Sequence, residues 1–137
     1  MNKENTEKLL KDFPNLYRQY YLPMDQTCMC WGIETSDGWF ELIYDLSKKL
    51  SKVSPECEAS QVKEKFARLR FYVDNCNEEG HKLIDEAERK SGTICEECGK
   101  PGKVREDLGW VRTLCDEHYD EKTDPVKILK KRMANKK

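Results

Sequence analysis

No stretch of this chain approaches the run of about 18 apolar residues that a membrane-crossing helix needs, so a spanning helix is excluded. Charge of either sign is not in excess: 25 Lys and Arg face 26 Asp and Glu across 137 residues, for a net charge of −1. General basicity therefore cannot hold this protein to duplex nucleic acid. Histidine is scarce, with only His81 and His118, and the seven glycines form no phosphate-cradling loop. GxSxG and HExxH are also missing, so no catalytic constellation emerges and we expect a protein that is not an enzyme. Without internal repeats or low-complexity segments, solenoid and scaffold architectures are excluded. Large apolar residues are few as well, Leu, Ile, Val and Phe numbering 27 of 137 against 37% charged residues. A thin core of this kind, in one domain or a small domain with an appended module, calls for a staple.

Cysteine is what the sequence does have, with seven residues. The N-terminal MNKENTEKLLKDF is a charged helical pattern rather than a signal peptide, so we expect a cytoplasmic protein with reduced thiols and no structural disulfides. Cys95-Glu96-Glu97-Cys98-Gly99 is followed, sixteen residues after Cys98, by Leu114 and then Cys115-Asp116-Glu117-His118. Paired CxxC and CxxH at this separation match a tetrahedral Cys3His zinc site formed by Cys95, Cys98, Cys115 and His118. Gly99 supplies the bend that lets two thiolates reach one ion. Lys103–Glu106 and Trp110–Leu114 are predicted as a hairpin, and the second pair of ligands as the first turn of a helix. Knuckle, hairpin and ligand-bearing helix make a treble-clef-like module over 93–124. Four protein ligands leave no open position, so the expected cofactor is structural Zn2+.

The remaining elements predict an α+β fold, a small antiparallel sheet with flanking helices in a body spanning 1–92. Thr6 to Phe13 reads as a short helix stopped by Pro14. The apolar, turn-bounded run 28–35 reads as a strand. Ser36-Asp37-Gly38 precedes Trp39, Leu42, Ile43, Leu46, Leu50 and Val53, one apolar stripe on a helix over about 38–52. Residues 61–73 alternate in two registers, which requires a bulge or turn near Ala67-Arg68. Asn75 and Glu78 resemble a capping box opening a helix to about Lys90. Asp124-Pro125 starts a last amphipathic helix, with Val126, Leu129 and Met133 inward, in a basic tail over 125–137 that carries six cations and no acid.

Cys28, Cys30, Cys57 and Cys76 have spacings awkward for one tetrahedral ion and are expected to be buried free thiols. His81, in a polar helix beside Lys82, is expected to be solvated. Trp31, Trp39 and Trp110 are expected to anchor the core, Trp39 being the one most easily shared with a pocket. Lys63, Lys65, Arg68 and Arg70 fall within eight residues and interleave with Phe66, Phe71 and Tyr72. Alternation puts Lys63 and Lys65 on one face, and the phase change can bring Arg70 and Tyr72 to it. Cations beside aromatics on a strand suit phosphates and bases, so Lys63, Lys65, Arg68, Arg70, Tyr72 and Trp39 are the candidate ligand-binding residues. The alternative is a plain solvated sheet face, and Glu64 within the run favours that alternative.

The segments FPNLYRQ (13–19), CMCWG (28–32), DGWFELIYDLSKKL (37–50), VKEKFARLRFYV (62–73), LIDEAE (83–88), CEECGKPGK (95–103) and GWVRTLCDEHY (109–119) together resemble a family of small phage- and prophage-encoded proteins. In that family the strand motif usually reads FGGLRFY, where this chain has Ala67 and Arg68. The resemblance implies a viral setting, hence a host cytoplasm, and a zinc-bearing C-terminal module; it names no substrate. The expected function is that of a non-enzymatic phage-type protein that sequesters or blocks a host component, an anionic nucleotide-like defence signal or a defence protein. The competing expectation is a nucleic-acid-binding regulator that uses the zinc module and basic tail.

Overall fold

The computed structural model describes residues 1–135; Lys136 and Lys137, the last two cations of the basic tail, lie outside the described residues. Helix α1 spans Lys3–Asp12 and begins three residues earlier than Thr6, because the Asn2 side chain accepts the Asn5 N–H at 2.8 Å. The expected strand over 28–35 shrinks to β1, Ile33–Glu34. Met29–Trp31 forms a 3-10 turn instead. There the Thr27 hydroxyl accepts the Met29 N–H at 3.0 Å and Gly32 closes onto the Met29 carbonyl at 2.9 Å. Local hydrogen bonds thus satisfy backbone groups that a strand would have needed to pair.

Helix α2, Phe40–Val53, buries Leu42, Ile43, Leu46 and Leu50 as the stripe predicts. It connects β1 to β2 (Glu58–Lys65), and that crossover is why the two strands pair in parallel. Strand β3 (Arg68–Asp74) returns antiparallel on the other side of β2, so the sheet, ordered β1-β2-β3, is mixed rather than purely antiparallel. Its core face carries Val62, Leu69 and Phe71, packed with Leu9, Leu16, Tyr17, Met29, Ile43 and Leu50. Tyr17, fully buried, shares a 2.6 Å hydrogen bond with Ser47, whose hydroxyl donates to the Ile43 carbonyl at 2.7 Å. Burial pushes the Tyr17 phenol well above its ordinary pKa, so it stays neutral in this core.

The phase change at 66–68 is a two-residue hairpin turn, with Phe66 and Ala67 at φ 52° and 71°. Positive φ at both central positions is the turn whose twist matches paired strands. A Cβ in the left-handed region costs about 1–2 kcal/mol. Two hydrogen bonds offset it at Ala67: the Glu64 carboxylate accepts the Ala67 N–H at 2.9 Å, and the Thr113 hydroxyl donates to the Ala67 carbonyl at 2.6 Å. Glu64, read from the sequence as weakening the cationic run, is spent on the turn.

Helix α3, Glu78–Ser91, is capped by Asn77, which accepts the Gly80 N–H at 2.8 Å; Asn75 sits outside the helix at φ 58° and is not the cap. The helix covers the outer edge of β3. Ser91 Oγ accepts the Leu69 N–H and Glu88 Oε2 the Phe71 N–H, each at 2.9 Å. That edge is thereby closed to strand addition.

The C-terminal part comprises β4 (Lys103–Arg105), β5 (Arg112–Leu114), α4 (Asp116–Thr123) and α5 (Pro125–Asn135). Asp124 accepts the Val126 N–H at 2.9 Å, and Val126, Leu129 and Met133, expected to face inward, are exposed. The segment before β4 is fastened to the body where α2 begins. Gly38 donates to the Glu96 carbonyl at 2.7 Å, Ser36 N–H to the Glu96 carboxylate at 3.0 Å, and the Trp39 indole N–H to the Ile94 carbonyl at 2.9 Å. A methyl group on Gly38 would lie 2.3 Å from the carbonyl oxygens of both Cys95 and Glu96. Gly38→Ala is therefore expected to unseat this junction and cost about 1–3 kcal/mol, read as a lower denaturation midpoint; an unchanged midpoint would show that the junction is not held this tightly.

Of the three tryptophans only Trp39 is a core residue. Trp31 and Trp110 are 66% and 58% exposed, the first on the 3-10 turn and the second at the tip of the β4-β5 hairpin beyond Gly109. No helix of the described residues is long and apolar enough to cross a membrane.

Candidate functional site

Cys95, Cys98, Cys115 and His118 converge, with one ligand atom from each lying within 4.8 Å of the others. The knuckle folds back because Gly99, at φ 81°, donates to the Cys95 carbonyl at 2.9 Å while Cys95 donates to the Lys100 carbonyl at 2.8 Å. The β4-β5 hairpin then delivers Cys115 to the N-cap of α4 and His118 to its first turn. Around a tetrahedral ion with bonds of ~2.3 Å to sulfur and ~2.0 Å to nitrogen, sulfur atoms sit ~3.8 Å apart and sulfur and nitrogen ~3.5 Å apart. Cys98 Sγ and Cys115 Sγ are 3.7 Å apart, and His118 Nδ1 is 3.5 Å from Cys95 Sγ and 3.2 Å from Cys115 Sγ. The four residues lie close enough to hold a metal ion.

Without an ion the thiols compete for protons. Burial, together with the neighbouring Cys95 and Cys115 thiols, pushes Cys98 up to about 11. Burial also raises Cys95, but the N–H groups of Cys115, Cys98 and Glu97 outweigh it and the net shift is downward. A cation in the centre would resolve that competition by stabilising every thiolate.

The surroundings orient these ligands. His118 Nε2, on the side away from the thiols, faces the Glu97 carboxylate at 3.6 Å. Glu97 in turn meets Lys122 at 3.1 Å and Arg112 at 3.6 Å. Burial favours its neutral form, but Lys122, Arg112 and His118 outweigh that and hold its pKa below the ordinary carboxylate value. Carboxylate partners of this kind fix the ring orientation of a metal-ligating histidine. Arg105, which nothing in the sequence singles out, ties the hairpin to α4. Its guanidinium bonds Asp116 at 2.7 Å and the Leu114 carbonyl at 3.2 Å and lies 4.3 Å over the Tyr119 ring.

The cationic run takes its place from the hairpin. Lys63 pairs with Arg70, Lys65 with Arg68 and Gln61 with Tyr72, which puts all six on the face away from the core. Phe66, 71% exposed, has the Lys65 ammonium 5.6 Å from its ring centroid, so it flanks the same surface. Among the described residues, none of Lys63, Lys65, Arg68 or Arg70 makes an ion pair, whereas Lys49, Lys82, Arg105, Arg112 and Lys122 all do. Glu34 borders the face beside Lys63 on β1.

Trp39, grouped with these residues by sequence, is fully buried, and its indole N–H is spent on Ile94, so it stands in the core and not on the strand face. His81 is exposed. The other four cysteines are free, but of them only Cys57 is buried; Cys30 and Cys76 are half-buried and Cys28 is exposed. Comparison with family models, curated proteins and solved structures finds no match to this chain.

Proposed function

We propose that this is a phage-type binding protein, not an enzyme, that sequesters an anionic, nucleotide-like component of a host cell on the outer face of β2 and β3. In this reading a structural zinc in a treble-clef-like module holds the hairpin tip in place. One observation carries the proposal: Lys63 stands directly opposite Arg70, and Lys65 opposite Arg68, and none of the four closes an ion pair, although Glu34 stands beside Lys63 on β1 and Arg70 acts electrostatically on Glu88 of α3. Like charges facing one another across two strands are destabilising, by roughly 0.2–1 kcal/mol per pair. Two neighbouring carboxylates do not balance four cations, whereas a phosphorylated ligand would meet all four at once. The viral setting rests on the resemblance of the motifs. The zinc rests on a donor set of three thiolates and one imidazole at tetrahedral spacing, the combination that favours zinc over harder cations.

Lys63→Glu and Arg70→Glu test the reading. Native mass spectrometry of the protein from signal-producing cells is expected to show a retained phosphorylated ligand that either substitution removes. Zinc content should be unaffected and the melting temperature little changed, because each substitution removes one like-charge pair while setting a new carboxylate near Glu34 or Glu88. The ligand should be recovered chemically unaltered; recovery of a product would make the protein an enzyme. Retention that neither substitution affects would place the ligand elsewhere and leave the strand charges a solvated face.

A further inference from the structure

The arrangement of the strand face narrows the ligand class. Its rungs run, in order, Tyr72 with Gln61, Arg70 with Lys63, Arg68 with Lys65, and then Phe66 in the turn. Successive same-face rungs are two residues apart, about 6.8 Å along the strands. The N–H groups of Leu69 and Phe71 point outward to α3, so positions 68 and 70 are the hydrogen-bonded rungs, with paired backbones about 5.5 Å apart. The surface therefore offers two double-cation rungs in file, with an exposed aromatic ring beyond each end. Tyr72 is 45% exposed and Phe66 71%. A single phosphate, or the compact chain of a nucleoside triphosphate, would engage the cations and leave at least one ring unused. A chain of nucleotides would not, since each rung can follow one step of its backbone while a base stacks at either end. Glu34 on the β1 side repels a backbone there and keeps it along β2 and β3.

We infer that the ligand is a set of nucleotides joined by phosphodiester bonds, with at least two phosphates seated on the Arg70–Lys63 and Arg68–Lys65 rungs and bases stacked on Tyr72 and Phe66, an inference that rests on the anion-binding function proposed above. The chemistry is shared by a short cyclic oligonucleotide and by a stretch of single-stranded nucleic acid.

The test is a binding series on the full, metal-loaded chain at fixed salt, using inorganic tripolyphosphate, thymidine monophosphate, linear thymidylate oligomers of two, four and six nucleotides, and a cyclic dinucleotide. Affinity is expected to rise about tenfold or more from the monophosphate to the tetramer. Tyr72→Ala and Phe66→Ala are each expected to weaken tetramer binding about fivefold or more while leaving tripolyphosphate binding unchanged, and Tyr72→Phe to keep the stacking. Cyclic dinucleotide binding as tight as the tetramer would identify a small closed ligand as the source; preference for the linear hexamer would identify a single strand. Equal affinity for monophosphate and tetramer, or indifference to both alanine substitutions, would overturn this inference while leaving the anion site standing. If nothing in the series binds, tripolyphosphate included, the anion site falls with it.

Discussion

Cys98→Ser and Cys115→Ser are each expected to abolish metal binding and to melt residues 93–120, while wild-type protein carries one zinc per chain. The expected effect is large because a structural zinc contributes roughly 10–16 kcal/mol in a small module, as much as the whole net stability of an ordinary domain. The segment has little to fall back on: its own buried apolar cluster is Cys95, Leu114 and Cys115, with Leu108 and Tyr119 packed against it. Two of the three buried members are the proposed ligands themselves, so removing the ion also removes the reason for burying them. Acid should act like a chelator. Thiolates and neutral imidazole are the binding forms, so falling pH protonates the ligands and releases the ion, and rising pH restores it. Metal analysis by mass spectrometry, with far-UV circular dichroism before and after chelation, checks both statements. A metal-free protein whose serine variants stay fully folded would overturn the assignment.

Trp39→Ala is expected to destabilise the whole protein by about 3–5 kcal/mol, measured as a lower denaturant midpoint at unchanged slope. The side chain is fully buried and precedes the apolar stripe of α2, so its removal opens a cavity among residues that sheet and helices hold on every side. It also deletes the hydrogen bond to Ile94. The loss should therefore reach past the body: the knuckle begins at the next residue, and looser seating there should lower metal affinity in step with stability. Unchanged stability would show that Trp39 is not a core anchor.

The metal cluster was legible because ligand spacing is a local property. Two residues between Cys95 and Cys98, and two between Cys115 and His118, bring each pair within reach of one ion under almost any turn that Gly99 permits. The α2 stripe was legible for a similar reason, since one helix face is set by period alone. Trp31 and Trp110 misled because bulk and apolarity do not say whether a neighbouring element exists to cover a side chain. The Asn75 cap misled because Asn77, two residues on, satisfies the same local chemistry, and the chain's path out of β3 chose between them.

Alternation along 61–73 showed that the hydrophobic set changes phase, and from this the cations of both halves could be brought to one side. It could not say that Lys63 faces Arg70 and Lys65 faces Arg68, because cross-strand register depends on which two residues make the turn. Nor could it show that Glu64 belongs to the turn, which leaves Glu34 on β1 as the acid bordering the cations. Sequence by itself therefore determined what is carried by short spacing and single-element periodicity: the four candidate metal ligands, the buried stripe of α2 and the thinness of the core. Tertiary structure alone decided the mixed sheet, the fastening of the knuckle against Gly38 and Trp39, and the facing cationic rungs, because each depends on contacts between residues distant in the chain, whose partners are chosen only when the elements pack.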